Sequence, residues 1–331
     1  MDTQRPDIKE LINICKGHKV YIQTHNIPDP DAIGAAFGLK QLLAEFDIDA
    51  TICYDGSIDK LSSAKMLDIL DIDMYADHEI ADDMKTDDYI ICVDTQKESG
   101  NVTDLLGDEI AAIDHHPTTS RNADIEYRYK DIRLFGACCT IITEYYKDLK
   151  MTPSPKVATA LLYGIRMDTL QFSRGVCGKD IAAFAFLHPL ADNACLKKLE
   201  MNNIEFGDLK AYGAAIENIR VFDYLGIVHI PFSCPDAMIA IVADFILSLI
   251  EIDIAVVYCD RPDGYKFSVR SERENVDAGK LIADALDGIG TGGGHASMAG
   301  GKVFLESIEM MGGYPETEIT ERFLRTLNLP F

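Results

Sequence analysis

"KVYIQTHNIPDPDAIGAAFGLKQLLAEF", residues 19–46, decides how the first half of the chain folds. It opens on an apolar, β-prone run, and its end (32–46) repeats apolar positions at helical spacing, with a short polar loop between. That is a strand, a loop and a helix. The loop brings His25, Asp29 and Asp31 close together in sequence, and Pro28 and Pro30 restrict the backbone between them. An aspartate before a helix can cap it, and Asp31 fits that role. Capping explains one carboxylate and leaves His25 and Asp29 unaccounted for.

The alternation continues with "DATICY" (49–54), "DYIICVD" (88–94) and "EIAAIDHH" (109–116), each a short run rich in isoleucine or valine or both. This βαβ rhythm predicts an α/β fold with a mainly parallel, doubly wound sheet. In such sheets functional groups gather beyond the carboxyl ends of the strands. His25 follows the first strand, Asp94 ends the third, and Asp114, His115 and His116 end the fourth. Residues 188–219 read as two helices separated near Asn202 and Asn203. A second α/β unit follows, with strands near 221–230, 252–259 and 265–270 and helices near 236–250 and 277–286. The glycine cluster "GIGTGGGHASMAGG" (288–301), the strand "KVFLES" and a helix at 315–327 complete it. The domains expected are therefore an N-terminal α/β domain (1–190), a helical connector (191–219) and a smaller C-terminal α/β domain (220–331).

Composition limits the partners. A chain of 331 residues, 47% hydrophobic, is globular and long enough for two cores. A net charge of −23 argues against a long duplex, while a small anion stays open if bound cations offset the field. Nine cysteines without a CxxC pair, behind an N-terminus without a leader pattern, fit reduced thiols in the cytoplasm. "AMIAIVADFILSLI" (237–250) is too short to span a bilayer and contains Asp244, so it reads as a core helix, and no membrane partner is expected.

"IDHHP" (113–117) ends a buried strand with groups that are costly to bury unpaired. Imidazoles with a larger number of carboxylates suit manganese better than zinc. Asp94, in "ICVDTQ", and Asp168, in "LLYGIRMDTLQF" (161–172), are weak signals taken singly.

Together, in the order H-x-x-x-D-x-D, D, D-H-H and G-I-x-x-D-T, these segments resemble the DHH phosphoesterase superfamily of RecJ-type exonucleases, family II pyrophosphatases and NrnA-type oligoribonucleases. "GGGH" (292–295) resembles the signature of the DHH-associated C-terminal domain. The resemblance implies two divalent metal ions, Mn2+ preferred. His25, Asp29 and Asp94 would hold one ion, and Asp31, Asp94, His115 and Asp168 the other, with Asp94 bridging. His116 would face the scissile phosphate, and Asp114 would orient the histidines.

Gly292, Gly293 and Gly294 would cradle a phosphate with backbone N–H groups in a turn, and His295 would add a donor. Arg270, in "KFSVRSE", would point at the nucleotide, and Arg174, in "QFSRG", is either a substrate contact or a surface charge. Two departures from the family pattern concern the pocket: Ala35 stands where many members have serine, and Leu170-Gln171 where NrnA-type proteins usually have glycines.

The activity implied is hydrolysis of short oligoribonucleotides to 5'-mononucleotides, with removal of the 3'-phosphate of 3'-phosphoadenosine 5'-phosphate. The alternative is a stand-alone phosphodiesterase for pApA or cyclic di-AMP, with inorganic pyrophosphatase behind it. From another class comes a catalytically silent nucleotide-binding module, whose mark would be a missing ligand. The expected partners are short RNA or small phosphorylated nucleotides, with room for a homodimer.

Overall fold

The strand, loop and helix of residues 19–46 sit at the centre of a six-stranded parallel sheet. The computed structural model describes residues 5–58, 60–201 and 206–330 and divides the chain into units Met1–Asn203 and Ile204–Phe331. The strands of the first unit are β1 (Val20–Gln23), β2 (Ala50–Tyr54), β3 (Tyr75–Ala76), β4 (Tyr89–Val93), β5 (Asp108–Asp114) and β6 (Tyr129–Ile132). Its helices are α1 (Ile8–Cys15), α2 (Pro30–Ala44), α3 (Leu61–Ile69), α4 (Asp77–Ile80), α5 (Cys138–Asp148), α6 (Pro155–Asp168), α7 (Gly178–Leu187) and α8 (Asn193–Glu200).

Strand order is β3-β2-β1-β4-β5-β6, so the winding reverses between β1 and β4. The chain leaves those neighbouring strands in opposite directions and opens a crevice at their carboxyl ends. His25 lies just after β1 and Asp94 just after β4. Every residue of both strands is buried, as a sheet covered on both faces requires. Val20, Ile22, Ile91 and Val93 join the large core under α2, α5 and α6, and Tyr21, Ile90 and Cys92 join a smaller core on the other face. The short strands β3 and β6 carry too little apolar pattern to stand out in the sequence.

Glycines bring Asp168 to this crevice. A methyl group on Gly34 of α2 would stand 2.7 Å from the Ala160 carbonyl oxygen, and one on Gly164 of α6 would stand 3.0 Å from that of Pro30. The bare backbones let α2 and α6 approach closely, which carries the C-terminal end of α6 to the N-terminal end of α2. Pro30 opens α2, where its fixed φ suits a first helical residue.

The second unit has α9 (Leu209–Asn218), α10 (Asp236–Leu247), α11 (Ala278–Ala285), α12 (Leu305–Met310) and α13 (Pro315–Leu327). Its strands are β7 (Arg220–Phe222), β8 (Leu225–Ile230), β9 (Ile254–Arg261), β10 (Gly264–Ser271), β11 (Gly290–Gly294) and β12 (Met298–Phe304). They form a mixed sheet, ordered β11-β12-β10-β9-β8-β7, in which only β8 and β9 pair in parallel. Residues from α11 and α13 form the core on one face, and residues from α9 and α10 that on the other.

The expected connector divides: α8 packs on α3 and α6 of the first unit, and α9 on β8 and α10 of the second. Asn202 and Asn203, its expected break, lie outside the described residues. "KVFLES" splits, its first half closing β12 and its second opening α12. Among the described residues no helix is long and apolar enough to cross a membrane.

Replacing Gly34 by alanine forces its Cβ against the Ala160 carbonyl and Cys139 Sγ, with no flexible side-chain end to give way at the former. Overpacking of this kind costs about 1–3 kcal/mol. The Gly34→Ala protein is expected to unfold at lower denaturant concentration with an unchanged slope, and an unchanged midpoint would show that α2 and α6 are not tightly held.

Candidate metal centre

Asp94 follows the last residue of β4 with a left-handed φ of 59°, a conformation that aspartate tolerates better than most residues. Its backbone N–H donates to the Ile113 carbonyl (2.9 Å), and the residue is 2% exposed. One carboxylate oxygen, Oδ2, is 3.6 Å from His25 Nε2, and the other, Oδ1, is 3.3 Å from His115 Nε2. Oδ1 is buried and, among the described residues, accepts no well-formed hydrogen bond. A buried charged oxygen without a partner is costly. Its position between two donor sets gives it a use.

His25, Asp29 and Asp94 form one set, and Asp31, His115 and Asp168 another, with the ligand atoms of each set within 4.8 Å of one another. His115 Nε2 is 3.9 Å from Asp31 Oδ2 and 3.4 Å from Asp168 Oδ2. Asp94, Asp114, His115 and His116 make a third, overlapping group. All the expected metal ligands therefore converge. An oxygen-rich donor set of this kind, with an orphaned carboxylate oxygen at its middle, fits divalent ions.

The supporting bonds differ from expectation in two places. Asp29, not Asp31, caps α2, its Oδ1 accepting from the N–H groups of Asp31 (3.0 Å) and Ala32 (3.2 Å). Asp31 instead accepts from the N–H groups of Cys138 (2.6 Å) and Cys139 (2.9 Å) at the start of α5, while those two thiols donate to the Ile113 and Asp31 carbonyls. Asp114 orients only His116, taking its Nδ1–H (2.9 Å) and its backbone N–H (3.1 Å). His115 gives its Nδ1–H to the Phe135 carbonyl (3.1 Å), which directs Nε2 toward the carboxylates.

Gln96 was absent from the sequence reading and is fully employed behind the site. Its Nε2 donates to Asp114 Oδ2 (2.8 Å) and the His116 carbonyl (3.2 Å), and its Oε1 accepts from Thr118 (3.1 Å) and Asn122 (3.4 Å). Asp180 was missed too. Its carboxylate takes the N–H groups of Gly136 and Cys177 and the hydroxyl of Thr140, fixing the loop that carries Phe135. The only sequence hint for Gln96 is its place two residues past Asp94.

The electrostatics follow from crowding. Burial pushes Asp31 well above the usual carboxylate range, and Asp94 adds to it. Burial, with Asp29 and Asp94, pushes Asp168 up to about 6 against the pull of His115. Burial opposes a charge on His115, yet Asp94, Asp31 and Asp168 outweigh it and push the imidazole up to about 11. His25 rises as well, burial again being outweighed by Asp94 and Asp29. In the metal-free chain, protons on these imidazoles do the work of cations.

Directly after Asp168, Leu170, Gln171 and Phe172 all take left-handed φ values of 47°, 56° and 66°. Each such residue costs roughly 1–2 kcal/mol unless it is glycine. Arg174 turns back so that its Nη2 donates to the Asp168 carbonyl (3.1 Å).

In the second unit the glycines expected in a phosphate-cradling turn form an edge strand instead, and the turn that follows it is His295–Met298. Ser268, Gly300 and Gly293 lie in one row across β10, β12 and β11. Among the described residues, a methyl group on Gly293 would meet nothing within 4 Å, and one on Gly300 only the Phe267 carbonyl, at 3.6 Å. This leaves an open floor of bare backbone, with Gly292 and Gly294 in the same strand and His295 exposed beside it. Arg270 is held by Asp244 of α10 (2.5 Å) and by Ser268 (3.0 Å).

Residues 19–165 match the DHH family, N-terminal domain, and residues 224–311 match the DHHA1 domain. Methanocaldococcus jannaschii protein MJ1633 is 31% identical over 85% of the chain, and the chain spans 57% of that protein. The cyclic-di-AMP phosphodiesterase GdpP of Bacillus subtilis is 27% identical over 88% of the chain and 46% of its own length. A probable bifunctional oligoribonuclease and PAP phosphatase, NrnA, of Streptococcus mutans is 25% identical over 85% of the chain and 88% of its own length. A solved exopolyphosphatase-related protein from Bacteroides fragilis shares the fold, with a TM-score of 0.76 at 18% identity over 97% of this chain and 96% of that one.

Two outcomes are expected from this geometry. Metal must displace the proton on His115 Nε2, so manganese binding at pH 7 releases protons, and its apparent affinity falls as pH falls, by up to about tenfold per pH unit for each proton displaced. Calorimetric titration in buffers of different ionisation enthalpy reads this directly; equal heats in all buffers would refute it. Gln96→Leu frees Asp114 and His116 to move, and phosphodiester turnover is expected to fall roughly tenfold to a hundredfold. Wild-type turnover in that variant would remove Gln96 from the site.

Proposed function

The chain belongs to the DHH superfamily, carrying its N-terminal and DHHA1 domains, and from that premise we propose that it is a manganese-dependent hydrolase of short oligoribonucleotides and small phosphorylated nucleotides. The orphaned Asp94 Oδ1 between two donor sets is the observation that carries this reading. In it, His25, Asp29 and Asp94 would hold one ion, and Asp31, Asp94, His115 and Asp168 the other. Bound there, such ions would supply Lewis acidity toward water and the phosphoryl oxygens.

The chain's own groups complete the chemistry. Asp114 holds the Nδ1–H of His116, so the ring nitrogen left for substrate is Nε2, on a half-exposed side chain. From there it delivers a proton to the departing oxygen. The Phe135 carbonyl and the first turn of α5 keep His115 and Asp31 from turning away when a phosphate arrives. In the second unit, the bare Gly293–Gly300 floor admits a phosphate or ribose close to backbone, with Arg270 and His295 as donors.

The likeness to NrnA over most of both chains supports release of 5'-mononucleotides from very short RNA and dephosphorylation of 3'-phosphoadenosine 5'-phosphate. A second reading, a stand-alone phosphodiesterase for pApA or cyclic di-AMP, draws on the likeness to GdpP. The net charge of −23 favours substrates of a few nucleotides over long strands in either case.

The purified protein loaded with manganese is expected to convert a 5'-labelled RNA trimer to mononucleotides and to release phosphate from 3'-phosphoadenosine 5'-phosphate. Turnover confined to cyclic di-AMP or pApA would favour the second reading, and no turnover of any phosphoester would refute both. Asp94→Ala is expected to abolish hydrolysis; retention of a tenth of the activity would exclude a bridging role for this carboxylate.

A further inference from the structure

The left-handed turn after Asp168 is tied down on every side. Phe172 N–H donates to Thr169 Oγ1 (3.2 Å), the N–H groups of Ser173 and Arg174 to the Thr169 carbonyl (3.0 and 2.9 Å), and Gln171 N–H to the Arg166 carbonyl (2.7 Å). Strained backbone persists only where its surroundings over-determine it, and it collects at ligand sites. Glycine would take these dihedral angles freely, so the side chains at these positions need a reason to be there.

Two of the three have one inside the fold. Gln171 Oε1 accepts from Arg166 Nε (2.7 Å), and the Phe172 ring meets Phe184 edge-on with centroids 5.2 Å apart. Leu170 is 56% exposed and joins none of the core clusters. The neighbouring loop, 133–136, repeats the pattern. Arg133 pairs with Asp131 and Glu144, the Phe135 carbonyl anchors His115, and Gly136 N–H is held by Asp180, but Leu134 is 71% exposed. The two loops abut, since a methyl group on Gly136 would stand 2.7 Å from Thr169 Cγ2.

We propose that Leu134 and Leu170, exposed on the two abutting loops that anchor His115 and follow Asp168, form an apolar shelf for the nucleobase of a bound nucleotide. This rests on the reading of the chain as a nucleotide phosphoesterase. Arg174, bonded to the Asp168 carbonyl, supplies a cation on the same loop. Two exposed leucines and a cation on abutting loops match a ligand that is apolar and planar at one end and anionic at the other, which is the chemistry of a nucleotide. The shelf would make Leu170 and Leu134 specificity-determining: they reward a base and contribute nothing to a bare phosphoester.

The test compares pApA with an analogue of it that lacks both bases, using the manganese-loaded full-length protein. The wild-type protein is expected to prefer pApA, and the Leu134→Ala/Leu170→Gly double variant to lose about fivefold to twentyfold of that preference, read as the ratio of the two kcat/KM values. Leu170→Gly alone is also expected to melt a few degrees above wild type, because glycine relieves the turn. A preference unchanged within twofold in the double variant overturns the shelf while leaving the phosphoesterase reading intact, as would equal turnover of both substrates by the wild-type protein. A lower melting temperature for Leu170→Gly removes the strain on which the shelf is argued. Failure of the wild-type protein to turn over either substrate overturns the nucleotide reading, and the shelf with it.

Discussion

Mutual repulsion among Asp29, Asp31, Asp94 and Asp168 governs the carboxyl end of the first sheet. Four carboxylates share a small, mostly buried volume with two imidazoles, in a chain already far to the negative side. Such a cluster survives folding only if positive charge enters with it, as protons or as metal. The scaffold accordingly grips four of the six through backbone groups. Backbone N–H groups hold Asp29 and Asp31, a carbonyl holds His115, and a strand end fixes Asp94. Positions set by neutral backbone groups do not shift when the charge inside the cluster changes.

Most of the expected ligands were legible in the sequence because His25, Asp29, Asp31, Asp94 and His115 come soon after strands, and the βαβ rhythm places such positions on one side of a sheet, whereas Asp168, at the end of α6, was legible only through the family resemblance. The groups that aim them were not. The Phe135 carbonyl and the Cys138 and Cys139 N–H groups carry no side-chain signature, and Gln96 looks like any polar residue after a strand. The exchange of roles between Asp29 and Asp31 was hidden for a related reason. Both lie at the right distance to cap α2, and only the arrival of α5, more than a hundred residues later, claims Asp31. In the second unit the same glycines that read as a turn pair as a strand, because strand pairing with β12 depends on a partner and not on local preference.

Close packing and catalytic geometry are the same problem in this fold. Gly34 and Gly164 let α2 and α6 meet, Gly136 lets the Phe135 loop meet Thr169 and Asp180, and both approaches end beside an expected metal ligand. A larger residue at either place would separate donors that must lie within a few ångströms. The strained turn after Asp168 is the opposite device, keeping side chains where bare backbone would fold more easily.

The two thiols at the head of α5 bear on which ions the centre can accept. Cys138 and Cys139 lend Asp31 their backbone hydrogens, yet their sulfurs point their own hydrogens at carbonyls, and burial, with Asp31 and Asp94 close by, pushes both thiols far above their usual range. Sulfur binds soft metals as thiolate, and here both sulfurs are engaged with backbone carbonyls. The cluster therefore offers an arriving ion oxygen and nitrogen only, although sulfur is its immediate neighbour. Thiophilic ions, which ordinarily win such contests by affinity, lose their advantage at this address.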